Sequence, residues 1–580
     1  MDRRILLKSG AAAIGTTLTR SLALPGPAGP LGADIPWTTY QAEDMRTTGT
    51  TLGPFYAPNC VETESSRQRC VKLAAGDYAE FTVQAPANAM VVRYSLPDTA
   101  DGAGLDSTLE VYRNGILLTH LPVTSKYAWL YGHYPFTNNP ADGKPRKFYD
   151  EVRRKGLDLK VGDVLRLKKV SDAADYCIID LVDLENVALP LPQPKGSLSA
   201  RDFGARGDGE SDDTEALVRC VAEAAKQGKV AWIPAGDYKL TGDIDFHDGA
   251  VLQGAGMWHT TFVGDEALYI HPERRLRFKL LGEHCRLSDF ALIGKLKYRN
   301  DEERNDGIFA AHARNGTISR LWIEHTKVGM WFYVSGAMRI EGCRLRNTLA
   351  DGINLCLGVR NTVIENCTAR NTGDDCFAIW PAVSDQGFTQ EAPHPGNNVI
   401  RRCTGELPFL ANGGAIYGGR DNRIEDCLFR DISAGCGILI STTFPTSNAD
   451  GTVDNNFNGL TRVYNCRTLR SGGYDPSWAW RGAVELCIDR KSICDLRIDQ
   501  VRIEDSISDG LRVIETNSRR EARRLCDTQL TDVTVTAVGL GGNGGHGLTI
   551  TEGAKGGLTL VHCDIADIKN SAPKFRLLRD

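Results

Sequence analysis

Five times between residues 339 and 466 the chain repeats one short phrase, an aliphatic residue followed three positions later by cysteine. The copies are Arg339-Ile340-Glu341-Gly342-Cys343, Val363-Ile364-Glu365-Asn366-Cys367, Val399-Ile400-Arg401-Arg402-Cys403, Arg423-Ile424-Glu425-Asp426-Cys427 and Arg462-Val463-Tyr464-Asn465-Cys466. The cysteines stand 24, 36, 24 and 39 residues apart. A fixed short interval marks a unit that buries its apolar face against the next copy. An interval of 24 without paired hairpin turns fits one coil of a right-handed parallel β-helix and counts against a propeller or a sandwich. The longer intervals read as one coil plus an insertion. Coils stack at roughly 4.8 Å, so equivalent side chains form ladders along the axis. Cysteine packs as a small hydrophobe and suits such a ladder. Each coil carries a further strand, at 352–357, 376–380, 414–417, 436–441, 483–488, 511–515 and 547–551.

The repeat gives weight to three aspartates. Asp351 lies eight residues after Cys343, and Asp375 lies eight residues after Cys367. Equal offsets in adjacent coils stack the two at one corner, with Asp374 beside them. For a single Asp a turn role is the simpler reading. Three in register cost electrostatic free energy unless a function uses them. Glycoside hydrolysis needs one carboxyl group as acid and another as base or nucleophile. Asp351 and Asp375 can hold a water together, and Asp374 can protonate the glycosidic oxygen. Crowding by two anions is expected to raise the pKa of Asp374.

Before the repeat, residues 38–187 read as a β-sandwich of jelly-roll, galactose-binding type. Short alternating runs occur at 78–83, 90–95, 108–113, 164–169 and 177–184. A proline-rich linker spans 188–197, and the β-helix domain is expected over 198–580. A helix is signalled over 214–226 by acidic and hydroxyl residues at its start, by an apolar face of Leu217, Cys220, Val221 and Ala224, and by Gly228 at its end. Such a helix closes an end coil that would otherwise expose apolar side chains and unpaired backbone groups.

These residues carry resemblances. The cassette Asp202-Phe203-Gly204-Ala205-Arg206-Gly207-Asp208-Gly209, with the helix and strand after it, resembles the start of pectate-lyase-like β-helices. Tyr40-Gln41-Ala42-Glu43-Asp44-Met45 and Ile178-Ile179-Asp180-Leu181-Val182-Asp183-Leu184 resemble the two ends of carbohydrate-binding modules of families 6 and 35. That resemblance implies a structural calcium on Glu43 and Asp180; the alternative is solvated edge-strand carboxylates. Asn347-Thr348-Leu349-Ala350-Asp351-Gly352-Ile353-Asn354 and Asn371-Thr372-Gly373-Asp374-Asp375-Cys376 resemble the aspartate signature of inverting β-helix glycosidases. Polygalacturonases share it, but they add a Gly-His-Gly element and an Arg-x-Lys that reads the uronate. Here Asn412-Gly413-Gly414-Ala415-Ile416-Tyr417-Gly418-Gly419 stands instead, and Arg490-Lys491 is the nearest basic pair. The closer resemblance is to glycoside hydrolase family 87, the α-1,3-glucanases and mycodextranases. It implies inversion at the anomeric carbon, Asp374 as general acid, and Asp351 with Asp375 as the base pair.

Insertions at 381–397 and 443–460 follow equivalent strands and should wall one groove. Trp380, Tyr417, Phe444, Tyr474, Trp478 and Trp480 are candidate platforms for pyranose rings, the alternative being that some pack inward as strand core, and His394 reads as a loop residue. No cofactor is needed for the chemistry. With 68 Lys and Arg against 73 Asp and Glu, the net charge of −5 favours neither nucleic acid nor an anionic membrane. No segment after the N-terminus has the roughly 18 uncharged apolar residues of a membrane span. Residues 1–33 resemble a twin-arginine export signal, with Arg3-Arg4 before an apolar stretch, the alternative being an ordinary Sec signal. An exported location, periplasmic or extracellular, and a monomeric β-helix are expected. Of 17 cysteines, Cys60 and Cys70 are the expected disulfide and most others are expected as buried thiols. The rival to a hydrolase is a non-catalytic polysaccharide-binding β-helix, which would gain nothing from three crowded carboxylates.

Overall fold

The computed structural model describes residues 31–390, 395–449, 451–476, 479–516 and 523–580. The export signal expected at 1–33 lies almost wholly outside them, as does His394.

The first domain is a sandwich of two antiparallel sheets. One orders Asp150–Leu159, Ala87–Ser95, Tyr176–Glu185, Cys70–Ala74 and Thr50–Leu52, with Trp37–Gln41 pairing the second half of Tyr176–Glu185 on the same edge as Cys70–Ala74. The other orders Arg46–Thr47, Tyr78–Thr82, Val164–Lys169, Asp106–Arg113 and Ile116–Thr124. Alternation puts Leu165 and Leu167 inward, where they meet Val92, Leu109, Val111 and Val182.

From Leu198–Ser199 onward the strands of the two long sheets are parallel, with small antiparallel hairpins in the insertions. Thr214–Lys226 is the α-helix, and its buried face of Ala216, Leu217, Cys220, Val221 and Ala224 joins the β-helix core. Its start is capped by Asp212, whose Oδ1 accepts from the Thr214 N–H at 3.0 Å and its hydroxyl at 2.6 Å. Asp213 turns away to accept from the N–H groups of Arg206 and Gly207.

Three ladders run along the axis. The first includes Arg339–Glu341, Val363–Glu365, Val399–Arg401, Arg423–Glu425 and Thr461–Tyr464. The second includes Arg344–Arg346, Thr368–Arg370, Thr404–Glu406, Leu428–Ile432 and Arg467–Ser471. The third includes Ile353–Leu355, Phe377–Ile379, Gly414–Ile416, Ile438–Ser441 and Gly482–Ile488. The sequence announces the first and third. The second has strands of three to five residues rich in Arg, Thr and Glu, so no apolar alternation marks it.

Between the first and second ladders the residue before each cysteine takes the left-handed conformation: Gly342, Asn366, Arg402, Asp426 and Asn465 have φ between 47° and 63°. The bend turns Cys343, Cys367, Cys403, Cys427 and Cys466 into the core as buried free thiols. Cys60 and Cys70 are not joined, contrary to the sequence expectation. Cys70 is packed in the sandwich with Phe148 and Ile178, whereas the Cys60 thiol points to the Pro58 carbonyl. The disulfide links Cys494 and Cys526, partners in register on adjacent coils with Cα atoms 4.5 Å apart.

The sandwich is fixed to the second ladder by a buried seam of charge. Arg344 holds both oxygens of Glu185, at 2.7 and 2.8 Å. Arg370 reaches Glu151 at 2.5 Å, Asp183 at 2.9 Å and Glu406 at 3.2 Å. Sandwich residues Leu130 and Phe136 enter the β-helix core itself. Of the two residues on which a calcium is expected, Asp180 is fully buried and pairs with Arg93, while its Oδ1 accepts from the Ser66 N–H at 2.8 Å. Both carboxylate oxygens of Glu43 are buried without a hydrogen-bond partner among the described residues.

Candidate active site

Two turns of the same design carry the three aspartates. Asn347-Thr348-Leu349-Ala350-Asp351 and Asn371-Thr372-Gly373-Asp374-Asp375 both join the second ladder to the third. Asn347 and Asn371 take left-handed φ values of 52° and 59°, and Asn371 Nδ2 donates to Asn347 Oδ1 at 2.6 Å. In each turn the threonine hydroxyl donates to the carbonyl two residues on, Thr348 to Ala350 and Thr372 to Asp374, both at 2.8 Å. Gly373 is required by close approach: a Cβ there would lie 2.2 Å from the Leu349 carbonyl. The Gly352 N–H donates to the Asp375 carbonyl at 2.9 Å, so the turns stack one rung apart.

One carboxylate oxygen from each of Asp351, Asp374 and Asp375 lies within 4.8 Å of the others. Asp351 and Asp375 are buried and Asp374 is half-buried. Asp375 is held on both oxygens. Its Oδ1 accepts from Asn412 N at 3.1 Å and Asn412 Nδ2 at 2.8 Å, and its Oδ2 accepts from the Tyr417 hydroxyl at 2.7 Å. Asp351 Oδ1 has a long contact, 3.5 Å from Asn354 Nδ2. Burial, and then repulsion from Asp374, pushes the Asp375 carboxyl up to about 7. Burial, followed by Asp374 and Asp375, pushes Asp351 well above the usual carboxylate range. Asp374 has a cation beside it: Arg299 Nη2 donates to its Oδ2 at 2.8 Å.

Arg299 was not singled out from the sequence, because it lies in an irregular segment between Arg286–Ile293 and Gly307–Ala311. Its guanidinium also donates from Nη1 to the carbonyls of Leu349 at 3.0 Å and Gly373 at 2.7 Å, and from Nε to Asp301 at 2.9 Å. It ties the two aspartate turns together. Burial works against its charge, but Asp374, Tyr134 and Asp301 outweigh that and hold its pKa above the ordinary arginine value. Asn412 had a usable signal, since it sits in the Asn412-Gly413-Gly414 run and its carbonyl accepts from Cys376 N one rung away.

The aspartates open on a cleft of about 230 Å³ whose lining includes Tyr134, Asn305, Lys327, Asn354, Trp380 and Phe444. Both insertions reach it, the first through Asp385 and Gln386 and the second through Phe444. Beyond Asp374, Tyr134, Tyr417 and Phe444 a second lobe continues along Leu410, Asn412, Leu439, Thr443, Asp475 and Arg481. Trp380 lines the cleft half-buried, against Phe444 at 5.5 Å. Tyr417 also lines it, but is 4% exposed with its hydroxyl spent on Asp375. Trp480 is half-buried beside Arg481, which lines the second lobe. It packs edge-on against Tyr474 at 5.6 Å and over Gly541, because Ala479–Trp480 forms a small hairpin with Tyr474–Asp475. Trp478 lies outside the described residues.

Comparison with known proteins agrees with this architecture. Residues 34–187 match the family model described as α-1,3-glucanase catalytic domain D1, and residues 210–543 match catalytic domain D2. The sandwich thus corresponds to part of a catalytic unit. The chain is similar to the crystal structure of the Agl-KA catalytic domain, with 25% identity and a TM-score of 0.85 over 97% of this chain and 100% of that one. The catalytic unit of a thermostable GH87 α-1,3-glucanase from Streptomyces thermodiastaticus is 29% identical, with a TM-score of 0.79 over 94% and 96%. A GH87 α-1,3-glucanase catalytic domain in complex with nigerose shares the fold at 23% identity, with a TM-score of 0.76 over 94% and 99%. Among curated relatives, the chain is 42% identical over 263 residues to a mannuronan C5-epimerase of Azotobacter vinelandii but spans only 14% of its length. It spans 8% of an alginate lyase from the same organism. With both catalytic-domain models matched in order and the fold shared end to end, the chain belongs to the α-1,3-glucanases of glycoside hydrolase family 87.

Proposed function

We propose that this protein hydrolyses α-1,3-glucan with inversion, using Asp374 as general acid and Asp351 with Asp375 as a paired base. The observation that carries the reading is the convergence of three carboxylates within 4.8 Å on one corner of two adjacent coils. Asp374 gives its proton to the glycosidic oxygen as the C1–O bond breaks. A water held by Asp351 and Asp375 adds to C1 and yields its proton to that pair. Carboxylate oxygens this close would also suit a retaining pair, in which one carboxylate is a nucleophile. Two features favour water. Asp375 has both oxygens engaged, which suits holding a water better than attacking carbon. Burial also raises both carboxyls, which makes them stronger bases.

A neutral glucan suits the lining. Arg299 has its donors on Asp374, Tyr134, Asp301 and two carbonyls, and Lys327 Nζ lies on the carbonyls of Asn300 and Glu303. Neither is left to meet a uronate. Asn305 Nδ2, Asn354 Oδ1 and Trp380 Nε1 are buried without a protein partner, and sugar hydroxyls would satisfy them. The two lobes meeting at Asp374 give rings a place on either side of the scissile bond. In sugar complexes of the GH87 relative, the replaced aspartates are numbered 23 and 24 positions beyond the first, as Asp374 and Asp375 are from Asp351. The N-terminal arginine pair favours export, and no helix among the described residues is long and apolar enough to cross a membrane.

The test is reducing-sugar release from insoluble α-1,3-glucan beside dextran, starch and polygalacturonate, with proton NMR of the first product formed. Release from α-1,3-glucan alone, with the β-anomer appearing first, is expected. The α-anomer appearing first would replace the base pair by a nucleophile. Release from polygalacturonate alone would overturn the neutral-sugar reading.

A further inference from the structure

We infer that the sandwich domain supplies a positioning residue to the active site: Tyr134 fixes, through Arg299, which oxygen of Asp374 carries the catalytic proton. This rests on Asp374 being the acid.

Tyr134 belongs to the sandwich segment between Leu130–Tyr131 and Pro145–Arg146. That segment is seated on the β-helix at several points. Leu130 and Phe136 enter its core, and Asn138 Nδ2 donates to the Lys297 carbonyl at 2.6 Å. Phe136 meets the Tyr134 ring edge-on at 6.0 Å. Tyr134 then lines both lobes of the cleft beside Asp374. Its ring lies 4.6 Å from the Arg299 guanidinium carbon, its oxygen accepts from Arg299 Nη2 at 2.7 Å, and its hydroxyl donates to Asp301.

The consequence is a proton address. Arg299 Nη2 has two hydrogens; one goes to Tyr134 and the other to Asp374 Oδ2. An N–H donor cannot face an O–H donor, so a protonated Asp374 must carry its hydrogen on Oδ1. A general acid works only if its proton points at the leaving oxygen within hydrogen-bond reach. Without the Tyr134 hydroxyl, Nη2 loses one of its two acceptors and Asp301 loses its tyrosine donor, so the whole guanidinium can shift toward Asp301, loosen its bond to Asp374 Oδ2 and let Asp374 turn its proton away from the cleft. Asp301 fixes the hydroxyl rotor, because a carboxylate there makes Tyr134 donate to it and accept from Arg299. Leu349, Gly373 and Asp301 hold Nη1 and Nε, and Tyr134 completes the set on Nη2, the nitrogen that meets Asp374.

The test uses leaving groups of different need. The full-length Y134F and D374N variants are assayed on α-1,3-glucan and on an α-1,3-oligosaccharyl fluoride. Fluoride departs from C1 as an anion without a proton, so acid catalysis is dispensable for it. Loss of kcat on glucan of about tenfold or more for Y134F is expected, with a several-fold smaller loss on the fluoride. D374N should show the same selectivity with a larger loss on glucan. Equal losses for Y134F on both substrates, with D374N still selective, would make Tyr134 a packing residue and overturn the inference while leaving the acid in place. Equal losses for D374N on both would overturn the acid assignment, and this inference with it.

Discussion

The hydroxyl of Tyr417 donates to Asp375 Oδ2 at 2.7 Å from one rung further along the third ladder. The bond favours the charged carboxylate against burial and Asp374, which together push the group to about 7. A hydrogen bond to a charged group contributes about 1.5–3 kcal/mol. Tyr417→Phe should therefore move the acidic limb of the kcat/KM profile upward by roughly one pH unit or more. A profile measured from pH 4 to 9 that keeps its limb in place would remove Asp375 from the base role.

The same raised carboxyl should cost stability at neutral pH. Folded Asp375 holds its proton to about 7 against 3.8 for the unfolded chain. Its contribution is therefore fully present below pH ~4 and is lost as pH rises through about 7. Asp375→Asn should raise Tm at pH 7.5 and change it little at pH 4. Equal shifts at both values would mean that the gain is not electrostatic.

Arg370 is fully buried in the seam between the domains, with Glu151, Asp183 and Glu406 around it. Removing one partner of a buried ionic cluster strands the others and typically costs about 3–5 kcal/mol. Arg370→Ala should lower the denaturant midpoint of both domains together. A variant in which the sandwich melts first, with the β-helix unchanged, would show that the two are not one cooperative unit.

Three carboxylates in reach of one another can also bind a cation. Arg299 already provides a positive charge at Asp374, and the proposed hydrolysis routes no step through a metal. Incubation with EDTA followed by gel filtration should change kcat by less than about twofold. Loss of activity restored by added Ca²⁺ would assign the trio to metal binding.

The sequence alone determined what periodicity controls. The cysteine interval announced coils, and equal offsets from Cys343 and Cys367 put Asp351 and Asp375 in register, because a stacked strand ladder converts sequence offset into spatial position. The capping helix was legible from its own end signals and apolar face. Only the tertiary structure decided what depends on meetings between distant segments. Arg299 reaches Asp374 across 75 residues, and Tyr134 reaches Arg299 across 165, neither within a repeat that fixes its place. Arg93 pairs with Asp180 across 87 residues. Trp480 folded onto Tyr474 because side-chain type says nothing of where a short hairpin turns. The second ladder stayed hidden because its outward residues are charged yet buried, and only the sandwich lying over them makes such residues belong inside.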